Sequence, residues 1–215
     1  MTTQIENITV TPNEQYSRLA SDTQIQRTAQ SLEARGIHTI IAANGEETQT
    51  KLLELLPEGA EVFLGSSTTL KELGLNEIVD NSDRFNSVRV RLAKMDRDKQ
   101  SREMIKMGAV PEYIIGSVQA VTEDGSVVIA SNTGSQLAPY AASAAHVIWV
   151  VGSQKIVRTL EEGIERVYQY ALPLEDARLM KDVGVHSSVN KILIVHREVI
   201  PGRVTMVLVK EKLGF

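Results

Sequence analysis

Four consecutive hydroxyl side chains, Ser66-Ser67-Thr68-Thr69, follow Gly65 directly. They stand between an apolar run, Glu61-Val62-Phe63-Leu64, and a short helical pattern that ends at Leu73 before Gly74. That composition has two readings. Thr69 and Glu72 fit a capping box, in which a hydroxyl and a glutamate satisfy orphan N–H groups at a helix start. Four hydroxyls exceed the needs of one cap, and beside unpaired N–H groups they suit a phosphate or carboxylate. Asn132-Thr133-Gly134-Ser135 repeats the chemistry at a second strand-to-helix loop, as a plain turn or as another wall of the same pocket. Lys155, three residues beyond Gly152, adds a positive charge there or lies solvated at a helix start.

Acid–base candidates are few. Glu123 and Asp124 are adjacent, and side chains at i and i+1 diverge, so they make a poor pair for proton transfer. Asp124-Gly125 between apolar runs reads as a hairpin turn. For a stand-alone enzyme, Glu123 is the best available acid or base, supported by Ser117 and Lys155. His38, His146, His186 and His196 show no HExxH or other tight ligand spacing, so no metal site is expected. No Gly-x-Ser-x-Gly elbow and no P-loop lysine occur.

Three apolar runs must position these groups. Residues 61–64 lead into Gly65-Ser66, Tyr113-Ile114-Ile115 into Gly116-Ser117, and Ile148-Trp149-Val150-Val151 into Gly152-Ser153. Short apolar runs stopped by glycine, with helical patterns between them, predict buried strands of a parallel sheet. Parallel strands end on one edge, where open α/β sheets bind ligands. Gly116 and Ser117 therefore join the expected site. Elsewhere, helices are expected over 13–35, 46–56, most of 90–107, around 139–145 and over 157–170, with strands at 37–42, 112–116 and 147–151. Val118–Thr122 and Val127–Ala130 form a hairpin insertion. Val189–His196 and Arg203–Lys210, joined by Pro201-Gly202, read as a C-terminal β-hairpin. The fold class is α/β: a mostly parallel Rossmann-like sheet flanked by helices, with both hairpins. Residues 1–12 read as an N-terminal arm and 13–215 as one domain.

Composition limits the function classes. The chain has 215 residues, 42% hydrophobic and 23% charged, with a formal charge of −4. That balance argues against a protein devoted to nucleic acid. It contains no cysteine, which excludes disulfides, thiolate catalysis and a cysteine-held Fe–S cluster. Residues 1–10 lack the pattern of a secretory signal, and no apolar run approaches the roughly 18 residues of a membrane span. A cytoplasmic location is expected. Residues 81–107 hold eight basic against four acidic side chains, a solvated helix face or a docking surface for a second copy or an acidic partner.

The run Tyr113-Ile114-Ile115-Gly116-Ser117-Val118-Gln119-Ala120-Val121-Thr122-Glu123-Asp124-Gly125 resembles the signature of the LUD-domain family of lactate-utilisation proteins. Gly152-Ser153-Gln154-Lys155-Ile156-Val157 is similar to that family's Gly-x-Asn-Lys-Ile-Val. Leu160-Glu161-Glu162 to Glu165-Arg166-Val167, Ala171-Leu172-Pro173, Ala177-Arg178-Leu179, Pro201-Gly202-Arg203 and Leu213-Gly214-Phe215 follow in the family's order. The resemblance covers roughly residues 60–215 and implies a fold similar to sugar-phosphate isomerases and CoA-transferases. Some members of that family belong to a three-protein lactate-oxidising system in which partner subunits carry the Fe–S clusters. The chain departs from the pattern at Gln154, which replaces Asn, and at Thr133-Gly134-Ser135-Gln136, which replaces Thr-Gly-Asn-Arg. Lys181–Asn190 lacks the cysteines many relatives carry there. In the isomerases of the wider superfamily the matching strand ends in Gly-Ala-Asp; here Val118 cannot move a proton. The expected function is a non-redox subunit or anionic-ligand-binding protein of organic-acid utilisation, needing no cofactor of its own and self-associating or docking to Fe–S partners. The alternative is a transferase or isomerase of a phosphorylated or CoA-linked small molecule.

Overall fold

Along His146–Gly152 the side chains alternate between two buried cores. Val147, Trp149 and Val151 join Ile114, Met206 and Leu208 on one face, while Ile148 and Val150 join Val62, Leu64 and Val207 on the other. A strand with two buried faces needs helices on both, which is the parallel α/β arrangement. The computed structural model describes residues 11–215, so all but the last two positions of the expected arm lie outside the described residues.

The first half contains α1 (Asp22–Ala34), β1 (His38–Ala42), α2 (Gly45–Leu55), β2 (Glu61–Leu64), α3 (Thr68–Glu72), α4 (Leu75–Asp80), β3 (Asn86–Ser87), α5 (Val88–Ala93) and α6 (Arg97–Ala109). The second half contains β4 (Tyr113–Gly116), β5 (Ala120–Thr122), β6 (Val127–Ser131), β7 (His146–Gly152), β8 (Ile156–Val157), α7 (Leu160–Arg166), α8 (Leu172–Val183), β9 (Lys191–Val195) and β10 (Val204–Val209). The large sheet has the order β1-β10-β7-β4-β2-β3, and its paired neighbours are all parallel. The three glycine-serine turns thus end neighbouring strands on one edge, as their spacing predicts.

The hairpin insertion forms as expected, with Ala120 opposite Val128 and Val121 opposite Val127. It is the centre of a second sheet of order β8-β5-β6-β9. The two tail strands correct the expected C-terminal hairpin. They do not pair with each other: β9 lies antiparallel to β6 in the small sheet, and β10 inserts parallel between β1 and β7 in the large one. Pro201-Gly202 turns the chain between sheets, not between partners. Val204–Val209 is an almost wholly buried run, which suits a central parallel strand better than a hairpin arm.

Helix ends differ from expectation for identifiable reasons. The pattern over 13–35 divides into a 3₁₀ turn, Glu14–Ser17, and α1, which Ser21 and Gln24 cap reciprocally. The basic stretch becomes two helices, α5 and α6, where Asp96 caps a new start. The helix expected to stop at Tyr170 continues through a π turn, Val167–Ala171, into α8. A proline inside a regular α-helix collides with the carbonyl four residues back. The wider turn admits Pro173 in the first turn of α8, and Gly184 at φ 69° ends the helix.

Candidate functional site

Gly116 and Gly152 end adjacent strands where other chain segments press on the backbone. A Cβ on Gly116 would collide with the Tyr140 hydroxyl, and one on Gly152 with Gln154, Glu211 and Leu213. These glycines therefore let Tyr140 and the chain terminus pack directly against the sheet edge. The Tyr140 hydroxyl takes a hydrogen bond from the Ser117 N–H, and burial pushes its pKa far above the usual phenol value. Gln154 donates to the carbonyls of Leu213, at 2.9 Å, and Gly214, at 3.2 Å. Glu72 accepts from the Gly214 N–H at 2.7 Å.

Lys155 lies in a 3₁₀ turn, Ser153–Lys155, and is only 1% exposed. Its Nζ donates to Ser117 Oγ at 3.0 Å and to Thr69 Oγ1 at 3.1 Å. Each hydroxyl has an acceptor of its own: Ser117 donates to Val150 O at 2.7 Å, and Thr69 to Leu213 O at 3.2 Å. No carboxylate forms an ion pair with Lys155 among the described residues. Burial first, and then the Arg166 guanidinium, push its pKa down to about 7, against the pull of Glu72. Arg166 is also buried without an ion-pair partner among the described residues; it donates to the carbonyls of Gln119 and Tyr16. Burial lowers its pKa to about 10, so it stays charged at neutral pH. The interior thus holds the Arg166 guanidinium and an amine that is charged in about half the molecules at pH 7, an unfavourable arrangement without a compensating anion.

A cavity of about 460 Å³ opens at this edge. Its lining includes Gly65, Ser66, Ser67, Thr68, Thr69, Ser117, Asn132, Thr133, Ser135 and Lys155, the residues expected from the sequence, brought together from three strand ends and two loops. Gly116 and Gly134 stand behind the lining: Gly116 admits Tyr140, and Gly134, at φ 88°, turns the loop and donates to Ser131 Oγ at 2.8 Å. Glu123 lies outside it. Its carboxylate meets Gln24 and Arg27 of α1, each at 3.2 Å, on the hairpin turn. The Thr69–Glu72 capping box does not form: Ser67 starts α3, while Thr69 faces Lys155 and Glu72 holds the terminus.

The sequence reading missed Phe63, Gln136, Tyr140, Glu175, Arg178 and Phe215, which also line the cavity. Glu175 and Arg178 pair in two-point contact at 2.7 Å on α8. A side cavity of about 130 Å³ shares Ser66, Ser67, Thr68, Glu175 and Arg178 and adds Lys71 and Arg89. The basic stretch is partly neutralised within the chain, where Arg89 meets Asp80 and Arg91 meets Glu61. His38 and His186 pair with Glu33 and Asp176, His146 stacks on Tyr113, and His196 meets Ser126. No group of three or more metal-ligating side chains converges among the described residues. Among them no helix is long and apolar enough to cross a membrane.

An open parallel α/β sheet with a hydroxyl-lined cavity at its carboxyl edge defines the class of protein. The family model of the LUD domain matches residues 25–209, and the chain belongs to that family. The crystal structure of a DUF162 family protein from Deinococcus radiodurans is similar, with a TM-score of 0.56 at 11% identity. The match covers 89% of this chain and 99% of that one, and at such identity it speaks for the fold alone. No curated protein matches the sequence.

Proposed function

We propose that the cavity binds a small organic anion and that the protein serves as a non-redox, ligand-binding component of organic-acid, lactate-type utilisation. The supporting observation is Lys155, a buried amine on the cavity wall with two hydroxyl partners and no carboxylate. An anion seated against it restores the missing countercharge, and the hydroxyls of Ser66, Ser67 and Thr68 supply further donors along the same wall. Family association with lactate utilisation favours a hydroxy- or oxo-acid. Without cysteine the chain carries no Fe–S cluster on thiolates, so electron transfer in such a system belongs to partner proteins.

Thermal unfolding against lactate, pyruvate, sugar phosphates, nucleotides, folates and CoA thioesters tests this. Ligand at about 100 times its Kd stabilises the native state by roughly 2.7 kcal/mol. The shift is expected with one anionic class and is lost when Ser66 and Ser67 are both replaced by Leu. No shift across the panel overturns the reading.

A further inference from the structure

We propose that Ser117 and Lys155 form a nucleophile–base pair, so that the cavity also transfers the acyl group of a small uncharged ester or thioester when no anion occupies it. This rests on the same cavity being the ligand site. The argument is positional. Both line the cavity; Ser117 is partly exposed, whereas Lys155 is only 1% exposed, with Nζ 3.0 Å from Oγ. A reactant in the cavity reaches the hydroxyl, and the amine receives the proton. Both partners are fixed. Tyr140 holds the Ser117 N–H, and Thr69 holds the amine at 3.1 Å.

The charged groups facing Lys155 are Arg166 from α7 and Glu72 from α3. Burial and Arg166 outweigh Glu72 and leave the amine divided between its two forms near pH 7. The protonated amine donates to Ser117 Oγ, and the hydroxyl then points to Val150 O at 2.7 Å. The neutral amine accepts from the hydroxyl, which turns the serine into a nucleophile. Ser117 Oγ bonds to the acyl carbon while its proton passes to Nζ. The C–O or C–S bond of the ester breaks, and the departing oxygen or sulfur takes that proton from Nζ. Water then adds to the acyl-serine with Lys155 as base again, releasing a carboxylic acid and restoring Ser117. The acyl acceptor is water in this form of the reaction, and Ser66, Ser67 and Asn132 on the cavity wall offer donors to the carbonyl oxygen.

The test treats the full chain with an alkyl fluorophosphonate and maps the adduct by mass spectrometry. Attack by Oγ forms an O–P bond and expels fluoride, so no further reactant is needed. A single adduct on Ser117 is expected, with a labelling rate that rises about tenfold from pH 6 to pH 8 and then levels. Lys155→Met lowers the rate by roughly 100-fold or more at pH 8. Melting curves check that the variant is folded. The wild type is also expected to hydrolyse p-nitrophenyl acetate faster than the p-nitrophenyl hemiester of succinate, whose carboxylate holds Lys155 in its protonated form. No adduct, an adduct on another serine, or a rate flat between pH 6 and 8 overturns the pair. A thermal shift with anions alongside no adduct overturns catalysis while leaving the ligand site standing.

Discussion

Replacing Lys155 with methionine is expected to stabilise the protein, although it removes two hydrogen bonds. The unfolded chain titrates this amine near 10.5, and the folded chain near 7. At about 1.36 kcal/mol per unit, holding the protonated amine inside costs about 5 kcal/mol, of which about 4 kcal/mol remains at pH 7, where half the molecules have shed the proton. The folded pKa is depressed, so between pH 7 and 10.5 the unfolded chain binds more protons and stability rises with pH. The penalty is full below pH 7 and small by pH 10. Methionine has similar length and no charge, and it leaves Ser117 and Thr69 with their acceptors Val150 O and Leu213 O. Allowing for the two lost amine contacts at about 1 kcal/mol each, the variant gains about 2 kcal/mol at pH 7. For a chain of this size that is a rise of roughly 4–8 °C in melting temperature. Calorimetry of both proteins at pH 6, 7, 8.5 and 10, in buffers free of phosphate and carboxylates, measures it. The gap should be widest at pH 6–7 and should shrink or reverse by pH 10. A variant less stable than wild type at pH 7, or a gap indifferent to pH, refutes the reading of Lys155 as an uncompensated buried amine.

Anion binding by the wild type should take up roughly half a proton at pH 7, because the ligand favours protonated Lys155, and affinity should weaken as pH rises from 7 to 8.5; titration calorimetry in buffers of different ionisation enthalpy measures both. Gly116→Ala drives a Cβ into the Tyr140 hydroxyl and should lower stability by about 1–3 kcal/mol in denaturant titrations, with part of the loss recovered in a Gly116→Ala/Tyr140→Phe double variant. Glu123→Gln should leave ligand-induced thermal shifts unchanged, since Glu123 stands with Arg27 outside the cavity, and should change stability by at most about 1 kcal/mol because Arg27 is largely exposed.

The sheet edge is legible in the sequence because its signal is local. A strand that must end in a close approach ends in glycine, as Gly116 and Gly152 do, and Gly65 marks the end of a third strand although a Cβ would fit there. The hydroxyl runs that follow them are equally visible, and all of Ser66–Thr69 reaches the cavity. The tail misleads because hairpin and crossover look alike over two short apolar runs; what separates them is the partner strand, which is β6 for one and β7 for the other. Glu123 stands out in the sequence as a carboxylate near a predicted edge. It turns away because β5 leads the chain from that edge into the second sheet.

The hardest feature to read is the most consequential one. Lys155 at a turn gives no sign in sequence of whether water reaches it. The answer depends on Leu213–Phe215, nearly sixty residues on, which Gln154 and Glu72 clamp against the edge and which closes over the turn. The same distance hides α8: only after the π turn accommodates Pro173 does the helix carry Glu175 and Arg178 to the cavity. Those two pair with each other, so Arg178 brings little net charge to the site. The electrostatic demand therefore falls on Lys155 and Arg166, neither of which has a carboxylate partner among the described residues. Folding alone would be better served by two apolar side chains. The arrangement is accounted for if the missing charge arrives with the ligand at Lys155, and then the energy held against the fold returns as affinity for an anion.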